Sequence, residues 1–367
     1  MLGICSKDTT FDNDLSLSQI SDIHDSDAIM IERQEKRHVV TFSRNFNIDE
    51  RDYLTMEEVL RDTWLNMRSN GFYYETSLDA VRTLVKTTSQ ADEENAPSCQ
   101  YRITSIRLPF VTAIPQAVLK LDSLEVLDLS DNACIEFLPM WIGKLKKLRH
   151  LNLSHTKQLR TIPDEIGDLT NLEQIDLVDS GIIVLPDVFH HLQSLKTLDL
   201  KNCERLESIP RSIGSLKNLQ ELDLHSAIKL KRLPEQIGRL RKLNKLNLSY
   251  TNLLYLPFSI GKLKSLEELD LSCTKHLETI PEDISKLRNL HRLDLSYSNI
   301  SSLPDKIGQL QQLDCLNLHQ CRKLKRLPES VRSLEKSIAY RNQKKLSSTG
   351  NDADATFNVY LRRFLCI

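Results

Sequence analysis

The chain has 367 residues, is 40% hydrophobic and carries a formal charge of −1, a balance that suits an ordered soluble fold and argues against a nucleic-acid partner. Acid and base are unevenly spread, with 10 Lys and Arg against 19 Asp and Glu in residues 1–100 and 39 against 31 in the remainder. No run approaches the roughly 18 apolar residues of a membrane span, and Met1–Asp14 lacks the basic and apolar regions of a secretory signal.

Residues 1–50 are rich in Ser, Asp, Asn and Thr, with few periodic apolar positions, and read as a flexible leader. Over 51–100 the pattern becomes helical. Leu54, Val59, Leu60, Trp64 and Met67 fall near one helical face, with Thr55 and Glu58 at capping-box spacing, and a second helix is expected over Ser77 to Thr88.

From Leu124 the chain repeats. LxxLxLxxx units start at Leu124, Leu148, Leu172, Leu195, Leu219, Leu243, Leu266, Leu290 and Leu313, at spacings of 23 or 24 residues, after a degenerate unit at Ile103, Ile106 and Leu108. Within Leu243–Leu263, Leu246 and Leu248 are two apart, as a strand requires, whereas Ile260 and Leu263 are three apart, as a helical turn requires. Pro257 is expected in the first turn of that second element, and Gly261 at a tight return. One such unit buries too little to fold alone, so the units must stack into a continuous parallel sheet on one side with short turns on the other. The helical 51–100 segment is then the cap over the first unit's open apolar end.

The ninth position of each unit carries Asn132, Thr156, Ser180, Cys203, Ala227, Thr251, Thr274, Ser298 and Cys321, mostly small side chains suited to bonding loop backbone in the interior. Cys203 and Cys321 therefore read as buried and structural. The eight cysteines form no CxxC pair, which fits a reducing, cytosol-like compartment. Beyond Leu334 the pattern fades, and 335–367, ending in FNVYLRRFLCI, reads as a tail with a possible capping element.

The period and the phrase LPxxIGxLxxLxxLxLSxTxL resemble the leucine-rich-repeat family. In detail they look like the cytosolic repeats of plant disease-resistance proteins and the repeats of type III effectors of plant-associated bacteria. The resemblance implies an α/β leucine-rich-repeat solenoid of about ten repeats over 101–334. It would be curved, with parallel strands on the concave face, short helical or 3-10 turns on the convex face, and a small α-helical N-terminal cap. Leu233-Pro234 and Ile280-Pro281 lack the preceding Gly of the extracellular plant-receptor repeat, which favours the cytosolic class. No GxxxxGK[ST] phosphate loop occurs, so the nucleotide-binding module of resistance proteins is missing. The implied function is non-catalytic protein binding, either as a bacterial effector in a host cell or as a plant immune or signalling protein. Substrate recognition for an effector-type ubiquitin ligase, with its chemistry in residues 1–100, is the enzymatic alternative.

The expected contact surface is the concave face. Its fifth-position column is Asp128, Asn152, Asp176, Asp199, Asp223, Asn247, Asp270, Asp294 and Asn317; the third-position column carries Glu221, Lys245, Glu268 and Arg292, and the eighth carries Tyr250 and Tyr297. Asp176, Asp199, Glu221, Asp223, Tyr250, Glu268, Asp270, Arg292, Asp294 and Tyr297 are the partner-binding candidates, suited to a protein with a basic segment. Lys144, Lys146, Lys147, Arg149, Arg239, Arg241, Lys242, Lys262, Lys264, Lys286 and Arg288 would line one edge as a solvated rim. His225 and His319 stand four units apart, about 20 Å at strand spacing, too far to share a metal, and no cofactor is implied.

Overall fold

The computed structural model describes residues 29–34, 37–42, 51, 55, 58–59, 85–89, 101–108 and 111–334. The strands in chain order are β1 Ile29–Gln34, β2 Arg37–Phe42, β3 Val85–Ser89 and β4 Tyr101–Arg107. They are followed by β5 Val126–Asp128, β6 His150–Asn152, β7 Gln174–Asp176, β8 Thr197–Asp199 and β9 Glu221–Asp223. The last four are β10 Lys245–Asn247, β11 Glu268–Asp270, β12 Arg292–Asp294 and β13 Cys315–Asn317. β4 to β13 form one parallel sheet in sequence order, the spine of the expected curved solenoid, and β3 adds antiparallel to β4 at its N-terminal edge.

Pairing is in step throughout. Leu246 of β10 lies opposite Leu222 of β9 and Leu269 of β11, so the middle leucine of each three-residue strand makes a ladder. That residue of each strand and the sixth-position leucine after it point inward. Leu246 is 1% exposed and Leu248 not at all, whereas Lys245 is exposed and Asn247 half-buried. After each strand the chain crosses the interior and returns through a single 3-10 turn, as at Arg211–Ser215, Glu235–Arg239 and Phe258–Lys262. Pro257 stands one residue before the last of these, in extended conformation, and its carbonyl accepts the Ile260 N–H at 3.0 Å. Its missing N–H costs nothing there, so the expected role survives with its position moved by one.

The glycine expected at a tight return has another reason. A Cβ on Gly261 would lie 2.2 Å from the Asp283 carbonyl oxygen of the next unit, and one on Gly143, Gly214, Gly238 or Gly308 would meet the corresponding carbonyl at 2.3–2.4 Å. Adjacent turns pack backbone to backbone at this column. Where the following turn is shortened, the demand lifts. Gly167 faces the short turn Phe189–His191, and its nearest neighbour would be a His191 ring nitrogen at 3.1 Å; the residue facing Ile307–Gln309 is Ser285, which fits with its side chain in place.

The ninth-position column closes the interior as expected. Asn132 donates to the Leu108 and Leu129 carbonyls and accepts from Val111 N–H, and Thr156, Thr251, Thr274 and Ser298 each donate to the carbonyl three residues back. Cys203 Sγ donates to the Leu177 carbonyl and Cys321 Sγ to that of Leu295. Burial pushes the Cys203 thiol up to about 11, which leaves it un-ionised at neutral pH.

At the N-terminal side, Arg51, Thr55, Glu58 and Val59 are helical; Val59 is fully buried in the array's core, and Arg51 and Glu58 pair with Asp122 and Lys120, in the stretch between β4 and β5. These contacts lie on the side of the array where the cap is expected, most of which falls outside the described residues. Two readings are corrected. Residues 85–88, expected at the end of a second helix, lie in β3, because Val85-Lys86-Thr87-Thr88 is β-branched at three of four positions and finds the open edge of β4 to pair with. Within the segment read as a flexible leader, β1 and β2 pair antiparallel as a hairpin, where the β-branched residues of IMIERQ and RHVVTF outweigh a polar average taken over fifty residues. Leu54, Leu60, Trp64, Met67 and Ser77 lie outside the described residues, as does the tail 335–367. Val331–Leu334 is helical and buries Val331 and Leu334 against the last repeat. Among the described residues no helix is long and apolar enough to cross a membrane.

Candidate protein-binding surface

The three rows that follow each inward leucine build the surface, and each has a distinct physical role. In the fifth-position row one carboxylate or amide oxygen is committed to the backbone. Asp128, Asn152, Asp199, Asp223, Asn247, Asp270, Asp294 and Asn317 all accept, at 2.8–3.1 Å, from the N–H two residues on. The recurrent Asp or Asn is therefore an Asx turn that ends each strand. Sequence reasoning placed this row on the concave face but missed the turn it makes; the signal was the alternation of Asp with Asn, which share only the acceptor oxygen.

The turn leads into the eighth position, where the chain is left-handed in every unit: Asp131, His155, Asp179, Asn202, Ser226, Tyr250, Cys273, Tyr297 and Gln320 have φ between 54° and 64°. The backbone there stays paired to the next unit, Tyr250 N–H donating to the Ser272 carbonyl at 2.9 Å and Tyr297 N–H to that of His319 at 2.7 Å. With the main chain held from both sides, the side chains stand out, and none in this row is buried.

The concave face divides into two halves. In the first, charges are matched between neighbouring units. Arg107 reaches Asp128 and Asp131; Arg149 lies between Glu125 and Glu173, and Lys196 pairs with Glu173. His150 Nε2 lies 2.7 Å from Asp176 Oδ2, and His155 and Lys157 both meet Asp179. Asp176 departs from its row, both oxygens being taken by His150 and Gln174. Burial raises its carboxyl, but those hydrogen bonds outweigh it and hold the pKa below the ordinary carboxylate value.

In the second half the acids are less matched. Asp199, with only the Lys201 N–H as hydrogen-bond donor among the described residues, has its carboxyl raised by burial, a shift the Lys201 bond opposes and the Asp223 and Asp176 charges reinforce. Among the described residues Asp270 likewise accepts only from Ser272, and Asp223 adds a long contact from Asn247 at 3.2 Å. Glu221 and Glu268 are exposed, the first with Lys245 at 4.0 Å. Asp294 is different: at 5% exposed, it is buried under bonds from Ser296, Asn317 and Arg292, so this candidate orders its neighbours rather than facing a ligand. Tyr250 and Tyr297 are 53% and 54% exposed, large values for aromatic rings.

The expected basic rim is exposed at all eleven positions, and part of it is already engaged, Lys146 with Asp168, Lys242 with Asn218 and Lys286 with Asp283. His225 and His319 each stack edge-on to a tyrosine. Among the described residues no group of three or more His, Cys, Asp or Glu is placed to hold a metal ion.

Three family models match the array. One described as leucine-rich repeat covers residues 109–159, a leucine-rich repeat region covers 139–227 and 189–279, and the leucine-rich repeats of RPS4B-like disease resistance proteins cover 262–349. No curated protein matches the chain. Among solved structures, the leucine-rich-repeat domain of the type III effector XopL is 25% identical over 77% of this chain and 88% of that one, with a TM-score of 0.53. Toll, in the Drosophila Toll–Spatzle complex, is 22% identical over 62% of this chain and 32% of that one, with a TM-score of 0.52. The ectodomain of the Arabidopsis receptor kinase HAESA, bound to an IDA peptide hormone, is 21% identical over 76% of this chain and 51% of that one, with a TM-score of 0.50. These last two share the fold alone.

Proposed function

The chain belongs to the leucine-rich-repeat family, and we propose that it is a non-catalytic binding protein that takes a basic segment of a protein partner on the second half of its concave face. The observation that carries this reading is the unequal charge matching along one surface. Where Arg107 answers Asp128 and Asp131, and His150 answers Asp176, little is left to attract a ligand; where Asp199, Asp223, Glu268 and Asp270 have no ion-pair partner among the described residues, a cation is drawn in. Exposed Tyr250 and Tyr297 supply apolar contact area beside those acids.

We place its action in a host cytosol, as a secreted bacterial effector. The support is the likeness to the XopL repeat domain, which spans most of both chains. The match of 262–349 to disease-resistance repeats favours a second reading, an intracellular plant immune protein using the same surface. A ubiquitin-ligase role would need chemistry outside the array, and thiol-dependent ubiquitin discharge abolished by Cys5→Ala or Cys99→Ala would establish it.

The surface itself is tested by titrating the full chain with a labelled basic octapeptide and its acidic counterpart. The basic peptide binds in a salt-sensitive manner and the acidic one does not, and Asp199→Asn, Asp223→Asn and Asp270→Asn together, which keep every Asx turn, weaken binding about tenfold, at about 0.5 kcal/mol per half-buried charge. Unchanged affinity in that triple variant overturns the reading.

A further inference from the structure

Along the left-handed row, Tyr250, Cys273 and Tyr297 follow one another in adjacent units, and a histidine closes each end from the seventh position. His225 meets the Tyr250 ring edge-on with centroids 5.1 Å apart, and His319 meets Tyr297 edge-on at 5.3 Å. Four aromatic rings and one small thiol thus form a shelf across five consecutive units, and the shelf coincides with the half of the concave face where Asp199, Asp223 and Asp270 have no ion-pair partner among the described residues, although Glu221 meets Lys245 and Asp294 meets Arg292.

The rings are held from three sides. The backbone of each tyrosine is fixed by its ladder hydrogen bond and its left-handed φ, and each ring is flanked by an imidazole, of which that of His225 is itself anchored, its Nδ1 2.8 Å from Ser249 Oγ and its backbone N–H accepted by Asp223. A prepositioned ring loses little entropy on binding. Tyr250 and Tyr297 are two strand spacings apart, about 10 Å between their backbones, and a planar cation between two ring faces requires roughly 7 Å at van der Waals contact. Cys273 between them is small enough to leave that gap. Asp270, in the same unit as Cys273, puts a carboxylate at the foot of it with one oxygen committed to Ser272.

We infer that the Tyr250–Cys273–Tyr297 shelf is a subsite for an arginine side chain of the partner, its guanidinium stacked on the tyrosine faces and its charge answered by Asp270. Guanidinium suits the place better than ammonium because it is planar, weakly hydrated and able to stack while donating in its own plane. The inference rests on the concave-face reading above and adds which side chain is recognised and where.

The test uses the full chain and three labelled octapeptides, alternating arginine and serine, lysine and serine, or citrulline and serine, the last keeping the planar group without its charge. The wild type binds the arginine peptide most tightly and the citrulline peptide least. Tyr250→Asn with Tyr297→Asn, chosen because asparagine accepts left-handed backbone, weakens the arginine peptide about tenfold, whereas the Tyr250→Phe, Tyr297→Phe pair stays within about threefold, because the ring face rather than the hydroxyl makes the contact. If the acidic-row variants weaken binding and the asparagine pair does not, the shelf is excluded and the concave reading stands. If neither set matters, or the wild type prefers lysine by more than threefold, the arginine subsite fails; in the first of these cases the concave reading fails with it.

Discussion

The two edges of each repeat carry opposite kinds of constraint. On the convex side, the Gly143, Gly214, Gly238 and Gly261 column demands an absence, since a single added carbon would strike the backbone of the next turn. On the concave side, the Asp131 to Gln320 row demands a conformation, positive φ, and accepts Asp, His, Asn, Ser, Tyr, Cys and Gln alike. A constraint on volume leaves no room for chemical variety, whereas a constraint on backbone angle leaves the side chain free. In this protein the chemistry has collected on the second edge.

The largest effect that would break this contrast is Gly261→Ala. Forcing a methyl into a 2.2 Å gap against the Asp283 carbonyl destabilises the array by about 1–3 kcal/mol, read as a fall in the thermal midpoint. Gly167→Ala, which meets side-chain atoms of His191 at 3.1 Å and of Val188 at 3.2 and 3.3 Å, costs under about 1 kcal/mol because these need give by only a few tenths of an ångström; equal losses at the two positions would show that the backbone contact is not the cause. Tyr250→Gly sharpens the other side. Glycine relieves the left-handed strain that tyrosine bears at φ 58°, so stability rises by up to about 1 kcal/mol while the arginine peptide is lost. A loss of stability there would mean that the ring is packed rather than displayed.

The smallest effects separate the two halves of the concave face by pH. Asp176 ionises more readily in the fold than in the unfolded chain, so its stabilisation is present above the unfolded carboxylate pKa and is lost as pH falls through the lower folded value; Asp176→Asn lowers the midpoint at pH 7, and the difference closes on acidification. Asp199 has the opposite sign. Its folded pKa is raised, so ionisation weakens the fold as pH climbs through that value, and Asp199→Asn raises the midpoint at pH 7 with no difference below the unfolded pKa. Melting curves of both variants at neutral and acid pH check the pair, and shifts of one sign would dissolve the distinction between the halves.

Most of the array was legible because one physical demand, an aliphatic at fixed spacing, recurs in every unit and is answered by the same neighbour each time. Leu246 and Leu248 could be set inward, and Cys203 and Cys321 assigned to the interior, from periodicity alone. What lay between units was not legible. The matching of Arg149 with Glu125 and Glu173, the bond from Asn317 to Asp294 and the stacking of His225 on Tyr250 are contacts between residues 23 to 25 apart, whose partners depend on rotamers that a spacing rule does not contain. β3 was missed for a related reason: Val85–Ser89 is a strand because β4 offers it an edge.

The in-step register of β4 to β13 has one further consequence. Because each strand sits level with the next, the displayed side chains occupy a lattice of fixed addresses, rows set by the unit and columns by the position within it. Exchanging one displayed residue rewrites a single cell and leaves every other cell where it was. A surface organised in this way can be retargeted stepwise by natural selection, each trial independent of the last, without the scaffold ever having to be solved again.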